Sequence, residues 1–162
     1  MAYHFAQFVY HKDLEFKREA QEKIVAFHTR ALADLRLPGE RVEIPFEGTS
    51  LPGVLRIPSS EENGCLFVIF IAGLGSTKEE LYTLEAVLHV RGLATLAFDG
   101  PAQGERSTLP IRPDFEVGIS AVVDFASMDK RLNPAKVGAL GVSCAGIICL
   151  ELWRWKVVLR RG

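Results

Sequence analysis

Residues Cys65–Ile71 form an unbroken apolar run, Cys-Leu-Phe-Val-Ile-Phe-Ile. A strand that wets one face alternates polar and apolar residues; one that does not alternate is covered on both faces, as in a parallel sheet between helices. The next segment agrees with such a sheet. Ala72-Gly-Leu-Gly-Ser-Thr-Lys-Glu-Glu80 is a glycine loop in which Thr77 and Glu80 have capping-box spacing, so a helix starts there. That helix is predicted to turn Leu81, Leu84 and Leu88 inward and to end at Arg91-Gly92. A second apolar strand, 93–98, runs into the turn-rich loop Asp99-Gly-Pro-Ala-Gln-Gly-Glu105. A helix from about Asp114 places Phe115, Ile119, Val122 and Ala126 on one face, and Asn133-Pro134 is read as its close. A third strand, 137–142, leads to Ser143.

The segment ahead of this alternation differs. Phe16, Ala20, Ile24, Phe27, Ala31 and Leu35 recur at threes and fours, so 13–35 is predicted to be an amphipathic helix capped by Asp13 and stopped by Pro38-Gly39. Residues 41–46 and 51–57 read as two antiparallel strands joined by a turn at Gly48-Thr-Ser, with Pro45 and Pro52 at an edge or at strand ends. The expected fold class is α/β: a mostly parallel sheet flanked by helices, with an N-terminal helical segment over 1–40 and a core over 41–162. Ligands in such sheets sit at the C-terminal ends of the strands. Gly73, Asp99 and Ser143 are all expected there and are predicted to line one site.

Ser143 lies in Gly141-Val-Ser-Cys-Ala145, between an apolar strand and a predicted helix. That is the layout of a nucleophile elbow, where a tight strand-to-helix turn with small neighbours presents a serine oxygen. Gly141 meets the steric need. Ala145 stands where the motif carries its second glycine. Serines at ordinary strand-to-helix turns share the same pattern without any chemistry, so both readings stand on the motif alone. The loop at Gly73 is not a dinucleotide fingerprint, because Lys78 holds the third glycine position, and no Gly-Lys-Ser/Thr comes after it to make a phosphate loop. Glycine backbone N–H groups at a helix start suit a developing oxyanion.

The chain of 162 residues suffices for one domain with a core. Its net charge of −1 carries no electrostatic footprint for nucleic acid. The basic tail with Trp153 and Trp155 reads as a snorkelling helix end. Three cysteines without paired spacing suggest free thiols in a reducing compartment, and no metal-ligand spacing occurs. The N-terminus lacks a signal-peptide pattern and no apolar run would span a bilayer, so a cytoplasmic protein with no membrane contact, no metal and no cofactor is expected.

The order of these strands with Gly-Leu-Gly-Ser-Thr-Lys-Glu-Glu, Phe-Asp-Gly-Pro-x-Gln-Gly-Glu and Gly-Val-Ser-Cys-x-Gly resembles the α/β-hydrolases. More narrowly it is similar to the branch containing dihydropseudooxynicotine hydrolase and the esterases of the fermentation–respiration switch type. The likeness covers about residues 40 to 150. It implies Ser143 as nucleophile, and the backbone N–H groups of Leu74 and Cys144 as oxyanion donors. It also implies a small-molecule substrate cleaved at an ester or at a carbon–carbon bond beside a ketone. Ala102 and Ala145 depart from the glycines of the pattern. In this fold an acid and then a histidine come after the serine, yet no histidine or aspartate lies beyond Ser143, and Glu151 is the only acid after it. His4, His11, His28 and His89 all precede it and none is expected to serve as base. The expectation is therefore an N-terminal portion of a hydrolase, with the strand at 137–142 left as an open edge that favours self-association. The alternative is a catalytically inactive remnant, or a binding or oligomerising module.

Overall fold

The computed structural model describes residues 3, 12–58, 64–73, 75–143 and 145–146. The elements are α1 (Leu14–Ala31), β1 (Glu40–Phe46), β2 (Thr49–Arg56), β3 (Cys65–Ile71), α2 (Tyr82–His89), β4 (Ala94–Phe98), α3 (Glu116–Met128) and β5 (Leu132–Gly141). Single 3-10 turns at Lys78–Leu81 and Gly104–Arg106 precede α2 and follow β4. The five strands form one mixed sheet in the order β1-β2-β4-β3-β5. β1 pairs antiparallel with β2 and β2 with β4, whereas β4, β3 and β5 are mutually parallel.

β3 lies at the centre of the parallel part, and its two faces feed two cores. Phe67, Ile69 and Ile71 meet Phe115, Ile119, Val122 and Ala126 of the α3 side, the face read from the sequence. Phe70 and Ala72 meet Leu81 and Ala97, with Val68 and Leu88 packed alongside. Fully burying one such large apolar side chain stabilises by about 1.5–3 kcal/mol.

Three local expectations differ from the structure. The hairpin turn is Glu47-Gly48, both at positive φ (43° and 78°), because Phe46 pairs directly with Thr49; two left-handed residues match the twist of the flanking strands. Pro45 is on the edge strand β1, as expected, and Pro52 lies just ahead of the first β2–β4 pair, Gly53↔Phe98. Asn133-Pro134 does not end a helix. α3 stops at Met128, and the pair lies inside β5, where the register jumps from Cys65↔Leu132 to Phe67↔Val137. The proline escapes ladder pairing in that irregularity. Finally, Leu84 is not inward but 44 % exposed. The Lys78–Leu81 turn is 3-10, so the inward face of α2 carries Glu85 instead. Glu85 is fully buried and takes Arg56 Nη1 at 2.5 Å and Thr95 Oγ1 at 3.0 Å. Burial pushes the Glu85 carboxyl above its usual range, against the opposing pull of Arg56.

α1 is capped as expected, with Asp13 accepting from the Phe16 N–H at 3.0 Å. It packs against the two 3-10 turns, that is, over the loops that leave β3 and β4. Its stripe is only partly covered: Ala20 is buried and Phe27 is 55 % exposed. Among the described residues no helix is long and apolar enough to cross a membrane. On the far side of the sheet β5 pairs, among the described residues, with β3 only.

Candidate active site

β5 ends at Gly141, and the Val142 N–H still reaches the Ile71 carbonyl at 3.2 Å. The next residue, Ser143, turns to φ +60° and is exposed. Helical bonding begins at once, from the Ala145 N–H to the Val142 carbonyl (3.2 Å) and from the Gly146 N–H to the Ser143 carbonyl (2.9 Å). A left-handed non-glycine residue costs about 1–2 kcal/mol, and such strain persists only where the surroundings impose it. Here the sheet fixes one side of the turn and the helical bonds fix the other. Ala145 is fully buried in the α3-side core, so the methyl that departs from the glycine pattern packs on apolar neighbours.

Gly73 is brought against this turn. A β-carbon there would lie 3.0 Å from the Val142 carbonyl oxygen and 3.2 Å from Ser143 Cβ. Glycine lets the two backbones approach this closely. The other two expected contributors, Leu74 and Cys144, lie outside the described residues.

Asp99, expected to line the site, turns its carboxylate onto Lys78. It is fully buried at the end of β4, where it accepts from the Lys78 backbone N–H (2.9 Å), the Lys78 ammonium (2.7 Å) and the Glu105 N–H (3.1 Å). Gly104 makes room for it, since a β-carbon there would fall 2.2 Å from Asp99 Oδ2. The Lys78 ammonium also meets Glu79 at 2.7 Å and Glu105 at 2.6 Å. Glu79, Asp99 and Glu105 thus hold carboxylate oxygens within 4.8 Å of one another, as a cation site requires, and the cation among them is the lysine. Burial works against the charge on Lys78, but the three carboxylates outweigh it and hold its pKa above the ordinary value. Burial likewise opposes ionisation of Glu105; hydrogen bonds from Arg41 and the nearby Lys78 ammonium win, and its pKa falls to about 2.

A second tie joins the same loops. Gln103 Nε2 donates to the Ala72 carbonyl at 2.6 Å, and its Oε1 accepts from the Gly100 N–H at 2.9 Å. Ala102 beside it sits at φ +65°, a conformation that favours the glycine of the pattern. Lys78 and Gln103 both fall in the loop motifs that carry the family resemblance, but the sequence attaches no role to either beyond Lys78 breaking a dinucleotide fingerprint. The available signal is a lysine opening a helix after a glycine loop, with two acids in the loop after the adjacent strand.

Of the histidines, two are described. His89 is in the last turn of α2, and α2 runs from the end of β3 back towards the start of β4. It therefore lies at the opposite end of the sheet from Ser143. His28 is half-buried against a cavity of about 360 Å³ between α1 and the Lys78 turn, together with Phe27, Thr77, Glu79 and Tyr82. Burial lowers its pKa, with Glu79 pulling the other way. Among the described residues His28 Nε2 has no hydrogen-bond partner.

The strand order, with one antiparallel strand beside the edge, three parallel strands and a left-handed serine at the end of β5, decides the fold. This is part of an α/β-hydrolase fold. The chain resembles the dihydropseudooxynicotine hydrolase branch of the α/β-hydrolases. It is 35% identical over 148 residues to 2,6-dihydropseudooxynicotine hydrolase of Paenarthrobacter nicotinovorans, a match that covers 91% of this chain and 40% of that protein. The solved structure of 2,6-dihydroxy-pseudo-oxynicotine hydrolase superimposes with a TM-score of 0.79 at 35% identity, over 86% of this chain and 39% of the other. A fungal relative, alpha/beta hydrolase pydG of an Acremonium species, is 44% identical over 124 residues, 68% of this chain and 29% of the relative. The chain therefore spans about two fifths or less of the length of these curated α/β-hydrolase relatives. The carboxylesterase EstE1, at 15% identity and a TM-score of 0.60, shares the fold. No family profile matches the chain.

Proposed function

We propose that this α/β-hydrolase chain carries the nucleophile and oxyanion half of a serine-hydrolase site. The observation behind it is Ser143 at φ +60°, exposed on a strand-to-helix turn and packed against Gly73. In the proposed step Ser143 Oγ bonds to the carbonyl carbon of a small ester or ketone while a base takes its proton. The carbonyl π pair moves onto oxygen, facing the N–H groups of Leu74 and Cys144. Collapse re-forms the carbonyl and expels the leaving group, an alkoxide or a stabilised carbanion, which takes up the proton. Water then releases the acyl group by the same route. The relatives' names support a hydrolase; the substrate class comes from the resemblance. Neither His28 nor His89 is assigned as the base.

The test is labelling by a fluorophosphonate, in which Oγ displaces fluoride from phosphorus. An adduct mapped to Ser143 and lost in Ser143→Ala supports the reading; an unlabelled, folded protein contradicts it.

One observation favours a second reading, a non-catalytic module that self-associates. Among the described residues β5 pairs on one side only, which leaves a strand edge open. Light scattering decides: a concentration-dependent dimer supports it, and a monomer at all concentrations counts against it.

A further inference from the structure

The geometry points to Lys78 as a positioning residue that sets the Gly73 loop against Ser143 by clamping the loop after β3 onto the loop after β4. The inference rests on Ser143 as nucleophile and the Gly73 loop as part of the oxyanion hole. Both loops leave parallel neighbours, β3 and β4, and the ladder between these two strands ends at Ile71↔Phe98; beyond it the Asp99 N–H bonds to the Pro52 carbonyl of β2 at 2.9 Å, which does not join one loop to the other. Lys78 supplies the missing ties from one residue. Its backbone N–H and its ammonium hold the two oxygens of Asp99, at 2.9 and 2.7 Å. The same ammonium reaches Glu105 at 2.6 Å, six residues further along the β4 loop. Gln103 adds a bond from the β4 loop to Ala72, next to Gly73.

The clamp is dry and pre-formed: the side chains of Lys78 and Asp99 are fully buried. Charge-assisted hydrogen bonds in such surroundings are shorter and roughly twice as strong as neutral ones. Gly73 approaches Val142 and Ser143 within van der Waals contact, so any shift of the loop is felt at the serine turn. Misplacement of catalytic parts by about 1 Å can cost roughly 100-fold in rate without loss of binding contacts. Lys78 touches no reacting atom in this scheme; it acts through the loop. Arg56–Glu85, another buried ion pair, braces α2 to the sheet, with the Arg56 guanidinium over the Tyr82 ring and, among the described residues, no hydrogen bond to the Gly73 or Asp99 loop, and serves as the control.

The experiment measures phosphonylation of Ser143 in the whole chain, resolved into reversible probe binding (KI) and reaction (kinact), well below each variant's melting temperature. Lys78→Met is compared with wild type and with Arg56→Met, which loses stability without touching the loops. The expected result is a kinact about 10- to 100-fold lower in Lys78→Met with KI little changed, and a wild-type kinact in folded Arg56→Met. Wild-type kinact in Lys78→Met overturns the inference. So does an equal loss in both variants, since that is stability alone. If Lys78→Met does not fold, Glu105→Gln removes one arm of the clamp and is read the same way. If wild type does not react, the serine-nucleophile reading fails by itself. Amide exchange at Gly73–Ser76 then judges the clamp: faster exchange in Lys78→Met but not in Arg56→Met sustains it, and unchanged exchange overturns it.

Discussion

Asp99 accepts hydrogen bonds from both ends of Lys78, the backbone N–H at 2.9 Å and the ammonium at 2.7 Å. One carboxylate thereby fixes where the helix after β3 begins and which way its first side chain points. Replacing Asp99 by Asn keeps the shape and removes the charge. It leaves Lys78 still paired with Glu79 and Glu105, so the ammonium is not left uncompensated and the cost is that of a weakened charged hydrogen bond, about 1–3 kcal/mol. Urea unfolding of Asp99→Asn is expected to show a loss of that order; a midpoint equal to wild type would contradict the assignment.

The Arg56–Glu85 pair predicts non-additivity. Both side chains are essentially inaccessible, at 1 % and 0 %. Arg56→Met or Glu85→Leu alone leaves a buried charge uncompensated, and each is expected to lose about 3–5 kcal/mol, whereas the double variant recovers most of it. A double-mutant cycle by denaturant unfolding measures this. Additive losses would mean that the two groups do not see each other.

A methyl group is unfavourable at two loop positions, so removing one and adding the other shift stability in opposite directions. Ala102 holds φ +65°, so Ala102→Gly removes strain of about 1–2 kcal/mol, less the extra entropy of an unfolded glycine, for a net gain of about 0.5 kcal/mol. Gly104 also has positive φ (39°), and its β-carbon would collide with Asp99 Oδ2 at 2.2 Å. Gly104→Ala is expected to lower the melting temperature by several degrees, since about 1 kcal/mol corresponds to about 2–4 °C in a chain of this size. Scanning calorimetry of the two variants checks the signs.

Acid should loosen the same loops. The Glu105 carboxyl is held at about 2, below its ordinary 4.5. Its folded pKa is depressed, so the unfolded chain binds this proton first. The stabilisation is full above about pH 4.5 and is lost as pH falls towards 2. Stability of wild type is expected to drop through that window more steeply than stability of Glu105→Gln. Parallel slopes for the two proteins would contradict the assignment.

Sequence pattern carries the framework where the signal is local. Cys65–Ile71 has the predicted limits because a strand covered on both faces needs no partner to be recognised. Phe115, Ile119, Val122 and Ala126 share a face because helical spacing alone dictates it. The failures are non-local. Nothing near Leu84 indicates that Glu85 takes the inward place, because its partner Arg56 is 29 residues away on β2. Nothing near Lys78 shows that three acids converge on it. Asp99 is legible as a residue at the right end of the sheet, but its burial depends on Lys78 and on the missing β-carbon of Gly104, which the chain order does not reveal. Ser143 is readable as a tight turn. The nearness of Gly73, on a loop far earlier in the chain, needs the pairing of β3 with β5.

The proposed nucleophile, with neither described histidine assigned as its base, also predicts chemical rescue. Added imidazole is expected to speed phosphonylation of Ser143 by about 10-fold or more, within the range that general-base assistance provides, with no adduct in Ser143→Ala. His28→Ala should leave the unassisted rate unchanged. A rate that collapses in His28→Ala would instead assign that histidine as the base.

A crystal structure of the phosphonylated protein would test the nucleophile and the oxyanion hole together. The phosphorus is expected on Ser143 Oγ, with the phosphoryl oxygen about 2.7–3.1 Å from the backbone nitrogens of Leu74 and Cys144, the reach of an oxyanion hole. Phosphorus on another residue, or a phosphoryl oxygen turned to solvent with both N–H groups engaged elsewhere, would contradict a serine-hydrolase site at Ser143.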